Sequence, residues 1–157
     1  MSQGIGTIEL AASGAHLATA GADDRAQIHD VLALYGRLYD DHRIDDFMTL
    51  IAADATFYPN WPGVAPEQVS GHAALKEFFA GARAFATSSH VQPRHFATNV
   101  LITRADATSA EATVSMLYAE SSPGGVVALK MLGQYDYGLV KRDGRWLLHR
   151  WSMRYDQ

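Results

Sequence analysis

Between Val126 and Tyr155 the chain reads VVALKMLGQYDYGLVKRDGRWLLHRWSMRY. This stretch decides the fold. It is dense in β-branched and aromatic residues on both sides of Lys141-Arg142-Asp143-Gly144. Asp-Gly between two such runs signals a tight hairpin, because the turn needs residues that tolerate positive φ. Two long antiparallel strands are therefore expected, from Val126 to Val140 and from Arg145 to Tyr155. Upstream, His95 to Arg104 and Glu111 to Ser121 have the same character. Ala105-Asp106-Ala107-Thr108 and Ser121-Ser122-Pro123-Gly124-Gly125 supply the turns.

Further back the period changes. Ile28, Val31, Leu32, Tyr35, Leu38 and Tyr39 recur three and four residues apart, one apolar stripe of a helix from about Asp24 to Asp41. Asp23 or Asp24 is the candidate cap. A short helix from about Asp45 to Ala52 is expected next, then a short strand from Ala55 to Tyr58. Pro59-Asn60-Trp61-Pro62-Gly63 is a loop, since prolines and glycine break regular structure. A third helix, Gly71 to Phe85, has Leu75, Phe78, Phe79 and Phe85 as its apolar members. Helices first and long strands afterwards mean α+β. Twisted antiparallel strands curl, so the expected architecture is a cone-shaped sheet, antiparallel or mixed, wrapped around the N-terminal helices and enclosing a pocket.

The 157 residues suit one domain, read as 23–157, preceded by a loosely held arm over 1–22 that is rich in Gly, Ala, Ser and Thr. With 48% apolar residues the chain can fill a core. A net charge of -4 argues against nucleic acid. No apolar run approaches the ~20 residues of a membrane helix. Cysteine is absent, which excludes disulfides and thiolate metal sites and fits a cytoplasmic location. No phosphate loop, Gly-x-Gly-x-x-Gly or His-Glu-x-x-His motif occurs, so no cofactor and no metal is expected. Asp40, Asp41, His42, Asp45 and Asp46 form a ligand-rich run, but it straddles a helix junction.

Two positions draw chemical interest. Asp40 stands where the first helix ends, facing the negative end of the helix dipole, and needs a compensating partner. It is either that or part of a solvated helix-end turn with Asp41 and His42. His95 opens the first long strand and by alternation shares a face with Ala97, Asn99 and Leu101. On a concave face its imidazole suits proton transfer; otherwise it is a hydrogen-bonded wall histidine.

Tyr35-Gly36-Arg37-Leu38-Tyr39-Asp40, Asp45 to Phe57, Gly71-His72-Ala73-Ala74-Leu75, His95-Phe96-Ala97-Thr98-Asn99 and Tyr137 to Trp146 together resemble the SnoaL-like, nuclear-transport-factor-2-like superfamily. Its dehydratase-like branch includes scytalone dehydratase, bile acid dehydratase and hexachlorocyclohexane dehydrochlorinase. That branch pairs an aspartate ending the first helix with a histidine opening the first long strand, and Asp40 and His95 fall at those places. The resemblance also implies roles for Tyr35, Arg154 near the end of the last strand, and Glu120. Ser115 stands about where scytalone dehydratase has a second histidine.

The implied activity is that of a lyase, a dehydratase or dehydrohalogenase, in which Asp40 orients His95 and His95 takes a carbon-bound proton. Tyr35 would donate to the developing oxyanion or departing hydroxyl. Arg154 would hold a substrate carboxylate or tie down Asp40, unless it forms a surface salt bridge. Tyr39, Tyr58, Trp61, Phe78, Asn99, Met116, Tyr118, Glu120, Met131, Tyr135 and Trp151, with Phe57 and Phe79, are the expected lining for a bulky apolar or aromatic substrate. An isomerase, a polyketide cyclase and a non-catalytic carrier or accessory subunit are the alternatives. Val100, Ile102, Leu117 and Leu147, placed on the outer sheet face, suggest a homodimer or homotrimer.

Overall fold

The structure, a computed structural model, describes residues 21–60 and 67–156. Residues 1–20 of the expected 1–22 arm, and Trp61, lie outside the described residues, and Ala22 already belongs to the first helix. Among the described residues three helices, α1 (Ala22–Asp40), α2 (Ile44–Met48) and α3 (His72–Ser88), accompany six strands. These are β1 (Ile51–Tyr58), β2 (Val69–Ser70), β3 (Gln92–Ala105), β4 (Ser109–Ser122), β5 (Val126–Arg142) and β6 (Arg145–Tyr155). The single sheet runs β2-β1-β6-β5-β4-β3. β1 lies parallel to β6 and every other pair is antiparallel. The sheet curls without closing, an α+β cone of the expected kind.

Local chemistry accounts for most boundaries. Asp143 (φ 51°) and Gly144 (φ 75°) both occupy the left-handed region, the geometry of the predicted two-residue hairpin turn. Four expectations change. Ile51 and Ala52 begin β1 and do not extend α2, because β1 must start there to run beside β6. β2 is a two-residue strand too short to show periodicity. Asp23 and Asp24 do not cap α1, whose N-cap is Gly21. Asp24 instead accepts hydrogen bonds from Lys141 and from Trp146 Nε1 (2.9 Å), pinning the helix start to the last hairpin. Finally, Ile102 is buried, so it is not part of an outer apolar face.

That last change comes from a bulge. Thr98 pairs with Ser115 but Leu101 pairs with Thr113, so β3 carries one extra residue there, and Asn99 has φ 51°. An inserted residue flips the inward–outward alternation beyond it. The core lies between the concave sheet face and the helices. Tyr35 sits at its centre, its ring 5.1–6.0 Å from those of Phe47, Tyr135, Tyr137 and Trp151. On the convex face Phe96, Leu117 and Leu132 are cross-strand neighbours, with Phe96 and Leu132 about half exposed.

Candidate active site

The C-terminus of α1 is fastened to the start of β3. Gln92 Nε2 donates to the Asp40 carbonyl (2.9 Å) and Arg94 Nη1 to Asp41 Oδ1 (3.3 Å). The buried Asp40 carboxylate takes both donors that His95 can offer on that side. Its Oδ2 accepts the His95 backbone N–H at 2.7 Å, and its Oδ1 accepts from the ring Nδ1 at 2.6 Å. This is the compensation that a carboxylate at a helix C-terminus requires. An ionised carboxylate only accepts, so Nδ1 carries the proton and Nε2 is left as the basic nitrogen. The nearby acids are engaged separately: Asp41 with Arg94, Asp45 with Lys76 and Asp46 with Arg43. Among the described residues no group of three or more potential metal ligands converges.

Close approach of α1 to β3 depends on Gly36. A Cβ there would lie 3.0 Å from the His95 Cβ. Gly36→Ala should therefore push His95 outward by a few tenths of an ångström. Misplacement by 1 Å can cost about 10²-fold in rate, so a loss of roughly tenfold is expected for Gly36→Ala and a larger one for Gly36→Val. Kinetics on both variants, with circular dichroism to confirm folding, would check this.

His95 lies in the wall of a cavity of about 410 Å³ between α3, the end of α1 and the concave sheet. Its ring packs against Tyr118 (centroids 4.8 Å apart) and edge-on to Tyr39 (5.5 Å). Tyr35, Tyr39, Phe78, Tyr118, Glu120, Met131 and Tyr135 line the cavity, as do Phe57 and Phe79. A larger hollow, about 700 Å³, runs outside along α1 and β3 and also touches Asp40 and His95. It is the more open and more polar of the two, and the less open, more apolar cavity is the better place for chemistry that excludes water.

Tyr35 is held tightly. Its hydroxyl accepts from Trp151 Nε1 at 3.0 Å and is also a hydrogen-bond partner of Tyr135. Burial pushes the Tyr35 phenol well up and that of Tyr39 up to about 12, so both stay protonated at neutral pH. Tyr118 donates its proton to Glu120 Oε1 (2.8 Å), and burial, reinforced by that bond, raises it too. Glu120 lies 3.5 Å from Lys130 Nζ.

The remaining expected site residues lie elsewhere. Arg154 points outward and forks onto Asp136, Nε–Oδ2 2.6 Å and Nη2–Oδ1 3.0 Å. The cause is another bulge. Leu148 pairs with Leu139 but Arg150 with Gly138, so His149 is the extra residue, and Trp151 and Met153 turn inward instead. Asn99 is exposed at the β3 bulge. Tyr58, opposite in facing to Phe57, lies under the Arg150 guanidinium, 5.1 Å from its ring. Met116 and Trp151 are buried in the core on the concave side but do not reach the cavity surface.

Of the cavity residues that the sequence did not point to, Arg83 is the charged one. Arg83 is 4% exposed, lines the cavity, and leaves Nε and Nη1 without an acceptor among the described residues. The available signal was its place in Phe78-Phe79-Ala80-Gly81-Ala82-Arg83-Ala84-Phe85: four residues beyond Phe79 and eight beyond Leu75 puts it on the buried stripe of α3.

Comparison with known proteins gives the following. The family model of the SnoaL-like domain matches residues 20–152. A candidate aromatic ring hydroxylase from Novosphingobium aromaticivorans superposes with a TM-score of 0.74 at 21% identity, covering 88% of this chain and 93% of that one. A candidate scytalone dehydratase from the same species gives 0.70 at 20% identity, over 86% and 85%. An NTF2-like protein with a cystatin-like fold, also from that species, gives 0.71 at 17%, over 83% and 80%. At such identities the likeness is one of fold. No curated protein sequence matches the chain.

Proposed function

We propose, from the premise that this chain belongs to the SnoaL-like domain family, that it is an enzyme acting on small molecules by abstracting a carbon-bound proton. The reading is a lyase of dehydratase or dehydrohalogenase type that uses no cofactor. The observation that carries it is the 2.6 Å contact between Asp40 Oδ1 and His95 Nδ1, in the wall of an apolar cavity.

In this mechanism Asp40 fixes the imidazole tautomer and stabilises the imidazolium once formed. His95 Nε2 removes a proton from a carbon next to a carbonyl. The electron pair left behind forms the carbon–carbon double bond as a β-hydroxyl or halide departs. The imidazolium returns its proton to a departing hydroxyl, which leaves as water. Tyr35 supports the developing oxyanion: it lines the cavity, stays protonated, and is held in place by the Trp151 indole N–H. Tyr118 is less suited, since its proton goes to Glu120.

The test is incubation in D₂O with a panel of polycyclic aromatic β-hydroxyketones and their β-chloro counterparts, followed by mass spectrometry. Loss of water or halide marks the lyase. Deuterium uptake without other mass change marks an isomerase or cyclase sharing the same first step. Neither outcome with any member of the panel, or equal rates in the His95→Gln protein, refutes the assignment.

A further inference from the structure

Arg83 poses an electrostatic problem that none of the described residues solves. Helix α3 turns Leu75, Phe79 and Arg83 to the same buried side. The guanidinium thus lines the cavity, while its Nε and Nη1 are buried at the cavity wall without acceptors among the described residues. It cannot shed its proton in a protein. A buried cation without a counter-charge is strongly unfavourable. The Tyr39 ring face, 5.7 Å from its Cζ, compensates in part. Glu120 is the carboxylate among the described lining residues, but it is occupied by the Tyr118 hydroxyl and Lys130.

We propose that the missing acceptor is a carboxylate of the ligand, so that Arg83 is the anchor for an aromatic or polycyclic carboxylic acid. A planar guanidinium matches a carboxylate geometrically, and in a desolvated site such a charge-assisted bond is strong. The placement also fits an extended substrate. Tyr39 touches Arg83 on one side and the His95 ring on another. An acid held by Arg83 would lay its apolar body along Phe57, Phe78 and Phe79 and bring a distal C–H toward His95. The orientation toward His95 rests on the catalytic reading above, whereas the anion site stands on Arg83 alone.

Calorimetric titration with 2-naphthoate and with its neutral isostere 2-naphthamide tests the anchor. The wild-type protein should bind the acid about tenfold or more tightly than the amide, the equivalent of one charge-assisted hydrogen bond. Arg83→Met should abolish that preference, weakening the acid far more than the amide, and Arg83→Lys should keep part of it. Without ligand, Arg83→Met should melt at a higher temperature than wild type, since it removes an uncompensated buried charge; this also verifies that the variant folds. Acid binding no tighter than amide binding in the wild type, including no binding of either, overturns the proposal. So does an undiminished preference in Arg83→Met. His95→Gln should keep the preference, so a missing D₂O exchange with the preference intact counts against the catalytic reading only, and the converse against the anchor only.

Discussion

Replacing His95 by glutamine is expected to lower turnover by roughly 10²–10⁴-fold, the contribution of a positioned general base, while leaving the fold unchanged. Glutamine preserves an amide N–H that can reach Asp40, so the buried carboxylate keeps a donor in place of Nδ1. The backbone N–H to Oδ2 bond is untouched. What is lost is a nitrogen that can accept a proton near neutral pH. Asp40→Asn should lose activity on a similar scale, because an amide can no longer fix the protonated Nδ1 while also accepting the backbone N–H. One of its two termini would meet a donor, so some destabilisation, about 1–3 kcal/mol, should accompany the kinetic defect. Turnover measured beside chemical denaturation separates the two variants: His95→Gln is purely kinetic, whereas Asp40→Asn moves both. Unimpaired turnover in His95→Gln would remove the basis of the mechanism.

The largest effect on stability is expected at Trp151. Its side chain is 1% exposed, stacked on Phe57 with centroids 5.1 Å apart and nearly parallel to Phe79 at 6.2 Å. Truncation to alanine removes that stack and leaves a cavity, and such changes cost about 3–5 kcal/mol. It also strips the Tyr35 hydroxyl of the indole N–H. Trp151→Phe keeps most of the stack and loses only the donor, so it should cost about 1 kcal/mol plus a smaller packing term. Urea denaturation midpoints for the two variants should therefore be well separated. A near-wild-type midpoint for Trp151→Ala would mean that the core closes around the gap. If Tyr35 supports the oxyanion, Trp151→Phe should also alter turnover, because the tyrosine loses the bond that holds its orientation.

Much of this was legible from local pattern. The stripe Ile28, Val31, Leu32, Tyr35, Leu38 is buried as its spacing implies, and the Asp143-Gly144 turn has the expected positive dihedrals. The cavity lining was partly legible: Tyr39, Phe78, Tyr118, Glu120, Met131 and Tyr135 reach it, whereas Tyr58, Asn99, Met116, Trp151 and Arg154 do not. Two of those five, Asn99 and Arg154, fail for one reason. Strict alternation along β3 points Asn99 inward, whereas the inward role of Arg154 comes from the resemblance alone; single-residue bulges at Asn99 and His149 turn both outward. A bulge is set by pairing with the neighbouring strand, a non-local property that leaves little trace in the strand's own residues.

By itself the sequence determined the order of elements, the hairpin that forces a long curled sheet, and the two chain positions whose union suggests chemistry. Periodicity and turn geometry act over a few residues, so they are written in the chain. Only the tertiary structure decided that 55 residues of separation close to 2.6 Å between Asp40 and His95. It also decided that Arg154 faces Asp136 outside while Arg83 is left inside, its Nε and Nη1 without an acceptor among the described residues. Those outcomes depend on strand register and on the depth at which a helix settles against the sheet, which the packing of the whole core fixes at once.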